Sequence, residues 1–317
     1  MKPCIPVFIP LAIVLAFSSS PMLAKTPVIL DTDIGDDIDD SWALVMLLKS
    51  YELDPKLITT TFGKAEYRAK LIAKMLTVAG RTDIPIGLGE GGHGGNGQLQ
   101  PWIENFKLAD YHGKVHQDGA TAIIDLIDHS AEPITVISIG PSQTLAAVIK
   151  RRPDLPAKAY FVGMQGSVFK GYDGEKPSAE WNVKCDVKAA QTVLSAPWKR
   201  ITITPLDTCG QMTLSGKRFE AIAASRDPLV QALMESYRIW SGKKRIDELH
   251  ASSVLYDTVA LYLAYAQRPE VKLQTLSIKV TDQGMTQVDP RGVKMSVATD
   301  WADRAAYYDR LVKIITQ

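Results

Sequence analysis

Hydrophobic positions along the chain fall into two alternating textures. Short apolar, β-rich runs, 28-VIL-30, 57-LITTTF-62, 134-ITVISI-139, 159-AYFVGM-164 and 200-RITITPL-206, predict strands buried on both faces. Between them, 41-SWALVMLLKS-50, 66-EYRAKLIAKMLTVAG-80, 118-DGATAIIDLIDHS-130, 142-SQTLAAVIKRR-152 and 186-DVKAAQTVLS-195 repeat at the helical period. This alternation predicts an α/β fold: a mostly parallel central sheet with helices on both faces. Beyond Gly210 the order changes to helical segments 219–240 and 254–267, strands near 272–280 and 294–299, and a closing helix 303–317. No low-complexity linker divides the parts and no internal repeat is visible, so residues 25–317 are read as one domain.

In an open parallel sheet, ligands sit beyond the carboxyl ends of the strands. The loop after the first strand carries Asp31, Asp33, Asp36, Asp37, Asp39 and Asp40. Carboxylates this crowded raise one another's pKa unless a cation neutralises them. An oxygen-only donor set outside the cell points to Ca²⁺. Asp36 or Asp39 alone reads equally well as a cap for the helix beginning near Ser41, but helix capping does not account for six.

The first 24 residues have a lysine near the start, an apolar run from Ile5 to Phe17 and a small-residue end at Ala24. That is the pattern of a cleaved signal peptide, and the run is too short and Pro-interrupted for a stable membrane anchor. The expected location is therefore secreted or periplasmic. Thirty-six basic residues against 35 acidic give a net charge of +1, with no basic excess to suggest nucleic-acid binding. A small-molecule partner is expected instead. Cys185 and Cys209 remain after cleavage, and neither belongs to a CxxC or Cys/His cluster.

A DxD after an apolar strand also opens the haloacid-dehalogenase-like phosphatases, whose aspartate nucleophile works with Mg²⁺. Here Ile34-Gly35-Asp36-Asp37 follows instead of the small hydroxyl residue of that class. The pieces 31-DTDIG-35 and 39-DDS-41, followed in order by 58-ITTTFG-63, 138-SIGPSQTLA-146, 180-EWN-182 with Asp186, 205-PLDT-208 and 256-YDTVA-260, resemble the inosine-uridine-preferring nucleoside hydrolase family. Two residues are inserted between the first two pieces, so Asp37 competes for one of the matched roles.

The resemblance implies a nucleoside hydrolase-like fold with a Rossmann-like core, and Ca²⁺-dependent cleavage of the N-glycosidic bond of ribonucleosides to ribose and base. It implies Ca²⁺ on Asp33, Asp40, Asp257 and the carbonyl of Ile139, with Asp33 also the general base. Asp257, Asp39 and Asn182 would meet the ribose, with Glu180 near the 5′-hydroxyl. The family's habit of forming dimers or tetramers extends to this chain as an expectation.

Three departures bear on the substrate. Tyr256 stands where many members carry a His that protonates the leaving base, and is the matched candidate acid, weaker by its ordinary pKa of about 10. Lys64 replaces an Asn and reads either as a contact for a 5′-phosphate or other anion or as a solvated lysine. No Asn occurs in 173-DGEKPS-178. A non-catalytic nucleoside- or ribose-binding protein on the same scaffold is the alternative that Tyr256 favours. Trp181 reads as core. Tyr237 and Trp240 read as packing residues, and His93, His112, His116 and His250 as surface residues. The glycine-rich 87-GLGEGGHGGNGQ-98 reads as a loop near the pocket mouth, without the Gly-Lys-Ser/Thr of a P-loop.

Overall fold

The computed structural model describes residue 1, residues 25–92, residue 95 and residues 97–317. The proposed signal segment, Met1 apart, and His93 lie outside the described residues. No helix among the described residues is long and apolar enough to cross a membrane.

The described strands are β1 (Thr26–Thr32), β2 (Leu53–Thr60), β3 (Ile86–Gly87), β4 (Val115–His116), β5 (Thr135–Ser138), β6 (Tyr160–Gly163), β7 (Arg200–Ile203), β8 (Val271–Val280), β9 (Thr286–Val288) and β10 (Val293–Trp301). They form one sheet in the order β4-β3-β2-β1-β5-β6-β7-β10-β8-β9. All neighbours from β4 to β10 are parallel, while β8 and β9 add antiparallel at one edge. The expected mostly parallel sheet is thus present. Periodicity passed over β3, β4 and β9 because two or three residues cannot register an alternation.

The chain runs outward from β1 through β2 and β3 to β4, then returns to β5 on the other side of β1. The strand order therefore reverses between β1 and β5, which opens a crevice at their carboxyl ends. Successive strand residues feed opposite cores: Val28, Leu30, Ile137 and Val162 face one, and Ile29, Val136 and Phe161 the other. The helix Asp39–Lys49, which leaves the aspartate loop, is buried from Asp39 to Leu47. Trp42 within it packs edge-on against Tyr237, with ring centroids 6.0 Å apart. A helix so enclosed gives its first turn a fixed position.

The segment 219–240 is two helices rather than one run: Gly216–Ala223 and Pro228–Trp240. Pro228 cannot donate to a preceding helical carbonyl, and Asp227 caps the second helix by accepting from Leu229 N and Val230 N. Asp227 also receives the Lys49 ammonium at 2.7 Å, tying this helix to the one that follows β1. Asp227→Ala should lower stability by about 1–2 kcal/mol, read as a lower urea midpoint at unchanged slope. An unchanged midpoint would mean that neither the cap nor the tie matters.

Candidate active site

Beyond β1 and β5 lies a cavity of about 360 Å³. Asp33, Asp39, Asp40, Asp257, Ile139, Glu180 and Asn182 all line it, so seven of the expected site residues come together, and Tyr256 joins them. Asp39 and Asp40 open the helix Asp39–Lys49, whose N-cap is Ile38 with no capping side chain. The aspartates therefore do not serve as side-chain caps here. Asp257 immediately precedes the helix Thr258–Tyr265.

Asp39, Asp40 and Asp257 each offer a carboxylate oxygen, and these atoms lie within 4.8 Å of one another. Such an all-oxygen, buried donor set fits a hard cation. Asp33 stands outside this closest trio and points to the next loop, since a Cβ at Gly140 would lie only 2.7 Å from its Oδ1. Asn182 donates its amide to the Ile139 carbonyl at 3.2 Å and to the Met164 carbonyl at 3.0 Å. The carbonyl keeps its second lone pair.

Burial raises the carboxyls of Asp39, Asp40 and Asp257 well above the usual range, with repulsion next, from Asp37 on Asp39, from Asp33 on Asp40 and from Asp39 on Asp257. Burial also pushes Asp33 up to about 7, opposed by the nearby Arg68 charge and reinforced by Asp36 and Asp37. Glu180 reaches about 7 through burial, against the hydrogen bonds it accepts from Gly166 N and Asn182 N. It caps the short helix Trp181–Lys184 and lines the cavity at once. For Tyr256, burial and then Asp39 raise the phenol pKa, making it a poorer acid than free tyrosine.

Arg68 was missed by the sequence reading, and it holds the aspartate loop in shape. Fully buried, it donates to the carbonyls of Phe62 (2.6 Å), Ile34 (2.8 Å) and Asp33, and pairs with Asp36 at 2.8 Å. Its signal was available: Arg68 shares the helical face of the buried Leu71, Ile72 and Met75 in Ala65–Val78. Lys64 is the expected substrate contact that the structure does not bring to the cavity. Phe62 and Gly63, at φ 55° and 68°, turn the chain so that Lys64 caps this helix as an exposed residue.

Trp181 is a correction to the core assignment. It is 46% exposed and lines the cavity, held edge-on by Phe62 at 6.2 Å. Tyr237 is buried and packs as expected, whereas Trp240 lines the cavity and donates its indole N-H to the Asp36 carbonyl at 3.0 Å. Tyr172 completes the aromatic rim, edge-on to Tyr256 at 6.2 Å. The motif 205-PLDT-208 works from behind: Asp207 accepts from Val168 N (2.9 Å) and Phe169 N (2.8 Å), anchoring the segment that carries Tyr172. Gln98 brings the end of the glycine-rich stretch to the cavity, and Gly97 N donates to Asp36 at 3.1 Å. His112 and His250 are exposed, His116 is half-buried in β4, and none lines the cavity. Cys185 and Cys209 are unpaired.

Comparison with known families matches residues 28–309 to a family described as inosine-uridine preferring nucleoside hydrolase. The chain belongs to that family. A pyrimidine-specific ribonucleoside hydrolase, RihA, of Escherichia coli O1:K1 / APEC is 29% identical over 232 residues, spanning 67% of this chain and 71% of the relative. Among solved structures, the plant nucleoside hydrolase PpNRh1 superposes with a TM-score of 0.79 at 21% identity, covering 92% of this chain and 99% of that one. The purine-preferring ribonucleoside hydrolase of Gardnerella vaginalis gives 0.74 at 19% identity, covering 92% and 98%. This chain is accordingly an N-ribosyl hydrolase with the nucleoside hydrolase fold, and the phosphatase and binding-protein alternatives are set aside.

Carboxyls whose pKa rises on folding favour the folded state while protonated. In cation-free protein that contribution is complete below the ordinary carboxyl pKa of about 4 and is lost as pH rises through about 7 for Asp33 and Glu180. A cation bound by these carboxylates would replace the protons, so the Tm gain on adding Ca²⁺ should be small at pH 5 and large at pH 8. A gain independent of pH would contradict the site's coupling to these carboxyls.

Proposed function

We propose that the enzyme is Ca²⁺-dependent and hydrolyses the N-glycosidic bond of ribonucleosides or related N-ribosides, releasing ribose and free base. The observation that carries this is the buried trio Asp39, Asp40 and Asp257, with carboxylate oxygens within 4.8 Å, at the strand-order reversal of the sheet. Asp33, Asp40, Asp257 and the Ile139 carbonyl are assigned to the ion. Asp39 lies close enough to exchange with one of them. Bound Ca²⁺ supplies charge to lower the pKa of a water and to orient the ribose diol.

Asp33 takes the proton of the attacking water. Burial pushes this carboxyl up to about 7 without a cation, and a neighbouring cation would lower it and keep the carboxylate ionised to accept a proton. Asp39 accepts from the ribose hydroxyls, Asn182 offers both donor and acceptor to them, and Glu180 meets the 5′ end. The surrounding carboxylates stabilise the oxocarbenium-like ribosyl cation that forms as the bond to the base breaks. Tyr256 and the tryptophans wall the base. The named relatives differ in base preference, one pyrimidine-specific and one purine-preferring, so base choice follows from this chain's own rim.

In this reading residues 1–24 are a signal peptide, residues 25–317 the catalytic domain, and the mature enzyme is secreted or periplasmic, assembling as two or four copies. Asp33→Ala should cut ribose release by about a thousandfold and weaken Ca²⁺ binding in parallel. Full turnover with normal Ca²⁺ content would remove Asp33 from both roles, and chelator-insensitive wild-type turnover would remove the ion.

A further inference from the structure

The cavity has a one-sided chemistry. Seven of its lining residues are carboxylic acids, four are aromatic, and none of the described lining residues is lysine, arginine or histidine. Arg68 matches Asp36 from behind the loop, Asp33, Asp40 and Asp257 are assigned to the metal, and Asp39 is assigned to the ribose hydroxyls. Asp37 and Glu180 remain on the lining with no ion pair among the described residues. An anionic 5′ group would therefore meet acidic oxygens, and Lys64 stands off the lining.

The rim rings are held in place. Phe62 meets Trp181 at 84°, Tyr172 meets Tyr256 at 82°, and Trp240 is pinned by its bond to the Asp36 carbonyl. Fixed aromatic faces beside carboxylates are the recognition set for an organic cation. Clefts of one charge sign also concentrate oppositely charged ligands.

Building on the hydrolase reading above, we propose that the preferred substrates are N-ribosides of a permanently cationic aromatic base, N-ribosylpyridinium compounds, rather than neutral nucleosides. The bond chemistry agrees with the lining. The water oxygen bonds to C1′, and its proton goes to the Asp33 carboxylate. The C1′–N bond breaks with its electron pair moving to the ring nitrogen, so a neutral pyridine leaves without needing a proton. In a neutral purine or pyrimidine nucleoside the same electron pair makes the base an anion unless a donor protonates it, and the described lining offers no imidazole. As a pyridinium riboside reacts, positive charge moves from the ring to the ribosyl carbon, from the aromatic rim toward the carboxylates.

The test measures kcat/KM of the Ca²⁺-loaded protein for nicotinamide riboside, uridine and inosine. It also measures competition by the reduced 1,4-dihydronicotinamide riboside, which is nearly isosteric but uncharged. The expected results are about tenfold or higher kcat/KM for the cationic riboside and about tenfold weaker competition by its neutral form. Uridine or inosine turning over as well as nicotinamide riboside would overturn the proposal and leave the hydrolase standing. Equal binding of the neutral form would also overturn it, because any rate advantage would then reflect intrinsic bond reactivity. No cleavage of any riboside would instead overturn the hydrolase reading on which it rests.

Discussion

Electrostatic repulsion inside one loop is the constraint on which the site depends. Asp31, Asp33, Asp39 and Asp40 are all buried within ten residues of chain, and Asp257 is brought among them by a distant helix. Left alone, such carboxylates would hold protons or drive the loop apart. Arg68 supplies one fixed positive charge beneath the loop. Its bonds to the carbonyls of Asp33, Ile34 and Phe62 shape the backbone as well as balancing charge. A cation held by the remaining oxygens, as proposed, would supply the rest, so charge balance and chemistry would rely on the same oxygens.

The sheet makes that arrangement precise enough to use. Because the strand order reverses between β1 and β5, their loops open onto one crevice instead of being covered by a connecting helix. Threonine hydroxyls stitch the loops together: Thr61 donates to the Pro141 carbonyl at 2.8 Å, and Thr144 to the Thr60 carbonyl at 2.9 Å while receiving Glu90 N. Asp207 does the same for the segment after β6. In the proposed reading, buried ionic and hydroxyl groups would fix the ribose end, and aromatic rings on more exposed segments would form the base end. The reaction centre can therefore stay constant while the rim changes its selectivity.

Much of this was legible in the residues because the decisive signals are local. The apolar strands, the helices between them and the aspartate loop each occupy a few consecutive positions, and the order of 180-EWN-182, 205-PLDT-208 and 256-YDTVA-260 carried the rest. The illegible parts depend on the third dimension. β3 and β4 are two residues each and exist because neighbours pair with them. Trp181 read as core by its position in the motif, but the helix it opens lies at the crevice and leaves it exposed. Lys64 aligned with a ligand-contacting position, yet the left-handed turn at Phe62 and Gly63 leaves it outside the cavity. Arg68 was hidden by the ordinary expectation that a helical arginine faces water.

The central claim is that the buried carboxylates form one catalytic cation site. The most direct measurement is a crystal structure of the protein with Ca²⁺ and a non-hydrolysable riboside. The account predicts one ion at about 2.3–2.6 Å from oxygens of Asp33, Asp40, Asp257 and the Ile139 carbonyl, with the ribose diol on the same ion. An ion bound elsewhere, or a ribose held away from these aspartates with no ion between them, would contradict it.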